Sequence, residues 1–199
     1  MNPLYPVFLK PSMLRFLIVG GGPVGEEKLT NLLRSSPEAR VRVVAPEMRP
    51  EIFALAEAHP QVELIPAYFD LGHLDGIDVA ILAAGSRAES GRIRSEIKAR
   101  GGVLVNVADT PDLCDFYMCS IITKGDLKVG ISTNGKSPTL AKRFRELLED
   151  ILPDEIPELL NNLRTIRDRL KGDFEYKVKA LNDLTASMVA QEQDPHRGE

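Results

Sequence analysis

The chain contains no tryptophan, two cysteines and three histidines in 199 residues. Each shortage narrows the chemistry. Cys114 and Cys119 fit no CxxC or Cys/His spacing, which argues against a structural zinc site, and no metal ligand set is expected. Both are expected to be reduced, buried and unreactive thiols. Imidazole could come only from His59, His73 and His196, the last lying in the polar tail QEQDPHRGE, so acid–base chemistry would fall to a carboxylate. No apolar run approaches the roughly 18 residues that cross a bilayer. The N-terminal MNPLYPVFLKPSML also lacks the basic start and unbroken apolar stretch of a secretion signal. A cytoplasmic protein without a membrane partner is expected. Positive charge is not in excess either: 25 Lys and Arg face 29 Asp and Glu. A formal charge of -4 argues against general attraction to nucleic acid, so an anionic ligand must be held locally.

What is present is a run of short, nearly continuously apolar segments alternating with helix-like ones. Strands are expected at Leu14 to Val19, Val41 to Ala45, VELIPA, Val79 to Ala84 and Val103 to Ala108. Helices are expected at Pro23 to Arg34, Pro50 to Ala58 and Arg87 to Arg100. Strands without polar alternation belong to sheets covered on both faces, so the pattern reads as an α/β, Rossmann-like parallel sheet. The pattern then changes. MCSIIT and LKVGIST flank Lys124-Gly125-Asp126 as a β-hairpin, and Ser137 and Pro138 open a helix that Pro153 ends. Two amphipathic stretches follow, with Leu159, Leu160, Leu163, Ile166 and Leu170 on one face and Val178, Leu181, Leu184 and Met188 on another.

Directly after the first strand, GGGPVG places Gly20, Gly22 and Gly25 in a G-x-G-x-x-G pattern, with Pro23 and Val24 between the last two. The first glycine permits a tight turn, the second lets backbone N–H groups approach a pyrophosphate, and the third lets helix pack on strand. A glycine-rich turn without a ligand is the alternative. At the end of the second strand, Pro46 and Glu47 stand where an acid meets ribose hydroxyls. Glu47 favours NAD over NADP, while Arg49 nearby points the other way. Ala84 and Gly85 end the fourth strand as small residues where a nicotinamide ribose would pass, or as residues that only pack tightly.

Two further segments carry candidate chemistry. Asn106 to Phe116 reads NVADTPDLCDF, in which Asp109 is either a base at the C-terminal edge of the sheet or a turn residue whose carboxylate bonds a backbone N–H two residues on. Asp112, Cys114 and Asp115 read as bystanders. Ser132, Thr133, Asn134, Gly135, Lys136 and Ser137 form a loop leading into a helix N-terminus, which suits an anion, or else simply caps that helix. Lys142, Arg143 and Arg145 follow on the helix.

Together GGGPVGEEKLTNLL, VVAPE, ILAAGS, NVADTP and STNGKSPTLAKRFRELLE resemble the precorrin-2 dehydrogenase family, the dehydrogenase module of siroheme synthases. The resemblance implies NAD-dependent oxidation of precorrin-2 to sirohydrochlorin and, in some members, ferrous iron insertion. It assigns Asp109 to catalysis, and a tetrapyrrole rich in carboxylates to the Ser132 to Ser137 loop. It also implies a homodimer, with residues 1–112 as the NAD-binding domain and 113–152 as a dimerisation region. Residues 153–190 then form a helical domain and 191–199 a disordered tail. Glu26 and Glu27 stand where relatives commonly show a basic residue. The methyltransferase module fused to this unit in some bacteria has no counterpart in the sequence, so precorrin-2 is expected to be supplied from elsewhere. Two other readings are a nucleotide-sensing Rossmann domain without turnover and a chelatase alone.

Overall fold

The computed structural model describes residues 2–186; Met188, His196 and the tail 191–199 lie outside them. Five strands, β1 (Arg15–Val19), β2 (Arg40–Val44), β3 (Val62–Ile65), β4 (Val79–Leu82) and β5 (Leu104–Val107), form one parallel sheet in the order β3-β2-β1-β4-β5. Four of the strands are shorter than expected by a residue or two at one or both ends, and β2 keeps its length but starts and ends one residue earlier. Pro66, which has no N–H for a ladder, follows β3, and left-handed Gly101 and Gly102 precede β5.

The apolar runs are continuous because alternate residues serve different cores. Leu17 and Val19 join Ala80, Leu82, Val105 and Val107 under α3 (Arg87–Arg100), which contributes Ile93 and Ile97. Phe16 and Ile18 join Val41, Val43, Val79 and Ile81 on the opposite face. There α1 (Pro23–Ser35) adds Leu29 and Leu33, and α2 (Pro50–Ala58) adds Ile52. Each fully buried Leu or Ile contributes roughly 1.5–3 kcal/mol, so both faces drive the fold.

After β5 the chain forms a hairpin, β6 (Ser120–Lys124) and β7 (Leu127–Ile131), whose two-residue turn starts at Gly125 with φ 58°. Three helices follow, α4 (Pro138–Ile151), α5 (Ile156–Arg169) and α6 (Phe174–Thr185). Of the described residues, those of Met1–Ile121 and Gly130–Glu146 form one compact unit, and those of Ile122–Val129 and Leu147–Glu199 form a second. Within the second unit Asp173 caps α6 by accepting from the Tyr176 N–H at 2.8 Å, and Lys124 pairs with Asp154. No helix among the described residues is long and apolar enough to cross a membrane.

β5 is an edge strand, and the way its edge is covered positions the loop beyond it. Leu104 and Ala108 donate to β4-side carbonyls, so Val105 and Val107 point their N–H groups outward. The chain folds back to meet them. The Asp115 carboxylate accepts from the Val105 N–H at 2.9 Å, and the Asp115 N–H donates to the Val105 carbonyl at 2.7 Å. Cys114 Sγ accepts from the Val107 N–H at 3.2 Å and lies 3.2 Å from the Val107 carbonyl and 3.4 Å from that of Thr110. Asn106 Nδ2 reaches the Phe116 carbonyl at 2.9 Å. Lys98 of α3 holds the Asp115 carboxylate at 2.8 Å, and Arg94 donates to the Leu113 carbonyl at 2.6 Å. Segment 111–116 therefore closes an otherwise open sheet edge.

Burial raises the Asp115 carboxyl, but bonds from Lys98 and the Val105 N–H, with the charges of Lys98 and Arg94, outweigh it and hold the group below its ordinary value. A lowered carboxyl contributes stability that is complete above the unfolded value near 4 and is lost as pH falls through the lower folded value. Asp115→Asn should therefore cost about 1–2 kcal/mol at neutral pH, with the deficit closing below about pH 4, as followed by denaturant melts across pH. The two thiols differ. Burial pushes both thiols up, and at Cys114 the Asp115 charge adds to it despite the Val107 N–H, but Cys114 is half-buried and hydrogen-bonded while Cys119, expected to be buried, is exposed. Mass mapping after iodoacetamide at neutral pH should find Cys119 alkylated and Cys114 protected until the chain is denatured.

Candidate functional site

The candidate residues converge on one edge of the sheet. Val44, Val19, Leu82 and Val107 stand level as register partners across β2, β1, β4 and β5, and each is the last residue of its strand. Four loops therefore leave the C-terminal edge side by side, carrying Pro46 and Glu47, Gly20 to Gly25, Ala84 and Gly85, and Asp109. With strands about 4.8 Å apart, the glycine loop and the Asp109 loop start about 10 Å from each other. The strand order reverses direction between β1 and β4, which is where open α/β sheets bind ligands.

The glycines divide into those the chain itself requires and one that faces space. Gly20 has φ 125°, and a Cβ there would lie 2.2 Å from the Ala83 carbonyl oxygen. A Cβ on Gly25 would lie 2.0 Å from the Gly20 carbonyl oxygen. Gly22 has nothing within 4 Å of its Cβ position, and no side chain caps α1, which begins at Pro23 and Val24. The backbone beside open space at an uncapped helix start is what a pyrophosphate needs, so the residues fit a dinucleotide.

Sequence reasoning missed Gly21, whose Cβ would lie 2.1 Å from the Glu47 carbonyl oxygen. Arg49, read from the sequence only as a residue that could receive a 2′-phosphate, also braces this loop, its N–H donating to the Gly21 carbonyl at 3.0 Å. The third consecutive glycine was the available signal for Gly21. Glu47, Pro46, Gly85 and Ser86 are exposed, and Ser86 caps α3 by accepting from the Glu89 N–H at 3.2 Å.

Asp109 is exposed and has φ 55°, one of two non-glycine residues in the left-handed region among those described. The expected turn bond from its carboxylate is not formed. The residue two positions on is Pro111, which has no N–H to give. The turn is closed instead by Thr110 N–H to the Val107 carbonyl at 3.3 Å and by the buried Thr110 hydroxyl to the Ala108 carbonyl at 3.2 Å. The Asp109 carboxylate has no hydrogen bond or ion pair among the described residues. Asp112, by contrast, is paired with Arg87 at 2.6 Å, and the Arg87 hydrogen bond is the first cause holding its carboxyl below the usual range.

The other left-handed residue is Asn134, at φ 54°. Its loop lies against the Asp109 turn, since a Cβ on Gly135 would stand 3.6 Å from the Pro111 ring. Three hydroxyls are consumed in shaping it. Ser132 Oγ accepts from the Asn134 N–H at 3.2 Å. Thr133 Oγ1 accepts from the Ser137 N–H at 3.1 Å and donates to the Ser137 carbonyl at 3.0 Å, and Ser137 Oγ accepts from the Leu140 N–H at 3.2 Å. Asn134 and Lys136 keep side chains without a hydrogen bond or ion pair among the described residues. Further along α4, Lys142 and Arg143 pair with Glu146 at 3.9 Å and 2.8 Å.

His73 accepts from the Asp70 N–H at 3.1 Å, so its imidazole belongs to local structure, and His59 follows the last residue of α2. No group of three or more His, Cys, Asp or Glu side chains suited to a metal gathers among the described residues.

A family model described as putative NAD(P)-binding matches residues 7–120, and one described as the central part of a sirohaem biosynthesis protein matches residues 124–151. The siroheme synthase of Psychrobacter sp. (strain PRwf-1) is 34% identical over 168 residues, which cover 84% of this chain and 34% of that protein. That of Thioalkalivibrio sulfidiphilus (strain HL-EbGR7) is 38% identical over 149 residues, covering 75% and 30%. The chain spans about a third of the length of these curated relatives. A solved structure described as SirC, precorrin-2 dehydrogenase, superposes with a TM-score of 0.71 at 25% identity, covering 91% of this chain and 89% of that one. The residues matched include the glycine loop, the Asp109 turn, the hairpin turn and α4, and the chain belongs to the NAD(P)-binding, precorrin-2 dehydrogenase module family of siroheme synthases.

Proposed function

We propose that the chain is a precorrin-2 dehydrogenase, transferring a hydride from precorrin-2 to NAD and a proton to Asp109, with sirohydrochlorin as product. The observation that carries this reading is Asp109 itself: an exposed carboxylate without a partner among the described residues, at the level edge from which the cofactor loops also leave. Asp is one of the few non-glycine residues that enters the left-handed region as a single residue, and such positions cluster where a side chain has work to do.

Bound at Gly20 to Gly25, the nicotinamide cofactor supplies a two-electron hydride acceptor. The chain's own residues do the rest. Gly22 leaves room for the pyrophosphate at the N-terminus of α1, and Ala84 and Gly85 keep the path over β4 free of bulk. Asp109, one strand further, accepts the proton released as the macrocycle gains its double bond. Asn134 and Lys136, on the loop against Pro111, offer a donor and a positive charge to the substrate's carboxylates. If ferrous iron is then inserted as a second substrate, the same carboxylate takes the pyrrole N–H protons.

Exposed Leu140, Phe144, Leu147 and Ile151 follow one another along α4 at helical spacing, which supports a homodimer in which a second copy covers them. Leu147→Glu is expected to halve the mass seen by sedimentation equilibrium; an unchanged mass would remove α4 from the interface.

The function is tested anaerobically with precorrin-2 and NAD, following NADH formation and the tetrapyrrole spectrum. Turnover should fall by about a hundredfold or more in Asp109→Asn, in keeping with the usual worth of a general base, while its melting temperature stays near wild type because Asn tolerates the left-handed region. Full activity in that variant removes Asp109 from the mechanism, and no NADH from wild type removes the dehydrogenase reading.

A further inference from the structure

The loop after β2 contains both elements by which dinucleotide folds choose between ribose and phosphorylated ribose. An acid there accepts bonds from ribose hydroxyls, and an arginine there receives a 2′-phosphate. Glu47 and Arg49 are both present, so sequence alone leaves the choice open. The deciding question is whether the guanidinium is available.

It is held on two sides. Arg49 Nη1 lies 3.1 Å from Glu26 Oε2, on the first turn of the helix that follows the glycine loop. On the other side Nη2 and Nε lie 3.0 Å and 3.3 Å from the two carboxylate oxygens of Glu51, on the first turn of α2. The Glu51 carboxyl is held below its ordinary value, first by a backbone bond at its own position and then by the Arg49 hydrogen bond. The backbone of Arg49 is fixed as well, through its N–H to the Gly21 carbonyl at 3.0 Å. Two carboxylates thus hold one guanidinium, and exposed Glu47 stands two residues before it on the same loop.

We infer that Glu26 and Glu51 are specificity-determining residues, which hold Arg49 in ion pairs and so turn the chain toward NAD and against NADP. A 2′-phosphate would bring further negative charge within a few ångströms of these carboxylates, at a distance salt screens only in part. To reach it, Arg49 would have to leave two partners for one. Glu26 thus acts through Arg49 and not against the pyrophosphate. The inference deepens the NAD reading above, but it concerns nucleotide choice and can be measured without a tetrapyrrole.

The test is calorimetric titration of NAD and of NADP separately into the full chain. Wild type should bind NAD more tightly, and Glu26→Gln with Glu51→Gln should shift the ratio of dissociation constants toward NADP by roughly tenfold or more. Adding Arg49→Ala should abolish that gain. A ratio within about twofold of wild type in the double variant, or a gain that survives Arg49→Ala, would overturn the inference. Glu51→Gln alone gives an independent arm should the double variant not fold: it should move the ratio toward NADP by a smaller step, and an unchanged ratio or a shift toward NAD would overturn the inference. Discrimination without dehydrogenation would leave this inference standing and remove the proposed activity, whereas failure of both nucleotides to bind would overturn both.

Discussion

Parallel pairing of β4 with both β1 and β5 is the constraint on which the site depends. It sets Val19, Leu82 and Val107 level, so that the glycine loop, the Ala84 loop and the Asp109 loop leave the sheet as neighbours in space although nearly 90 residues separate the first from the last. A parallel sheet needs helices on both faces, and the two cores supply them, with α1 and α2 on one side and α3 on the other. The apolar residues thus determine where polar groups emerge, and the loops need carry no stability of their own.

One loop does need support, because it leaves an edge strand. The backbone of β5 would face solvent at Val105 and Val107 if segment 111–116 did not fold back upon it. Asp115 and Cys114 supply the matching groups, and Lys98 and Arg94 of α3 anchor them. Asp109 itself is left out of that network. Its neighbours hold the turn while its carboxylate stays uncommitted, which is the division of labour expected where a reactive group sits on a rigid scaffold.

How much of this was legible follows from the kind of interaction. Strands buried on both faces announce themselves as unbroken apolar runs, and α2 and α3 run over the residues expected, because Pro50 starts one and Gly101 ends the other. The position of the glycine loop was equally plain. Side-chain bonds between distant segments were not. Asp115 and Cys114 looked like bystanders because their partners lie in β5 and α3, and the Arg49 ion pairs join α1 to α2. The turn at Asp109 was misread for a local reason that the sequence did contain: a carboxylate bonding two residues on needs an N–H, and the residue there is Pro111. Likewise Ser132, Thr133 and Ser137 looked available for a ligand, yet their hydroxyls shape the loop and leave Asn134 and Lys136 free to make contacts.

On this account the level edge of the sheet brings cofactor and base to one substrate. The most direct measurement is a crystal structure of the chain with NAD and sirohydrochlorin bound. The account predicts the pyrophosphate against Gly22 at the start of α1, the nicotinamide over Ala84, and the Asp109 carboxylate in hydrogen-bond contact with the tetrapyrrole. A nicotinamide directed toward β3, or a tetrapyrrole bound away from Asp109, would contradict it.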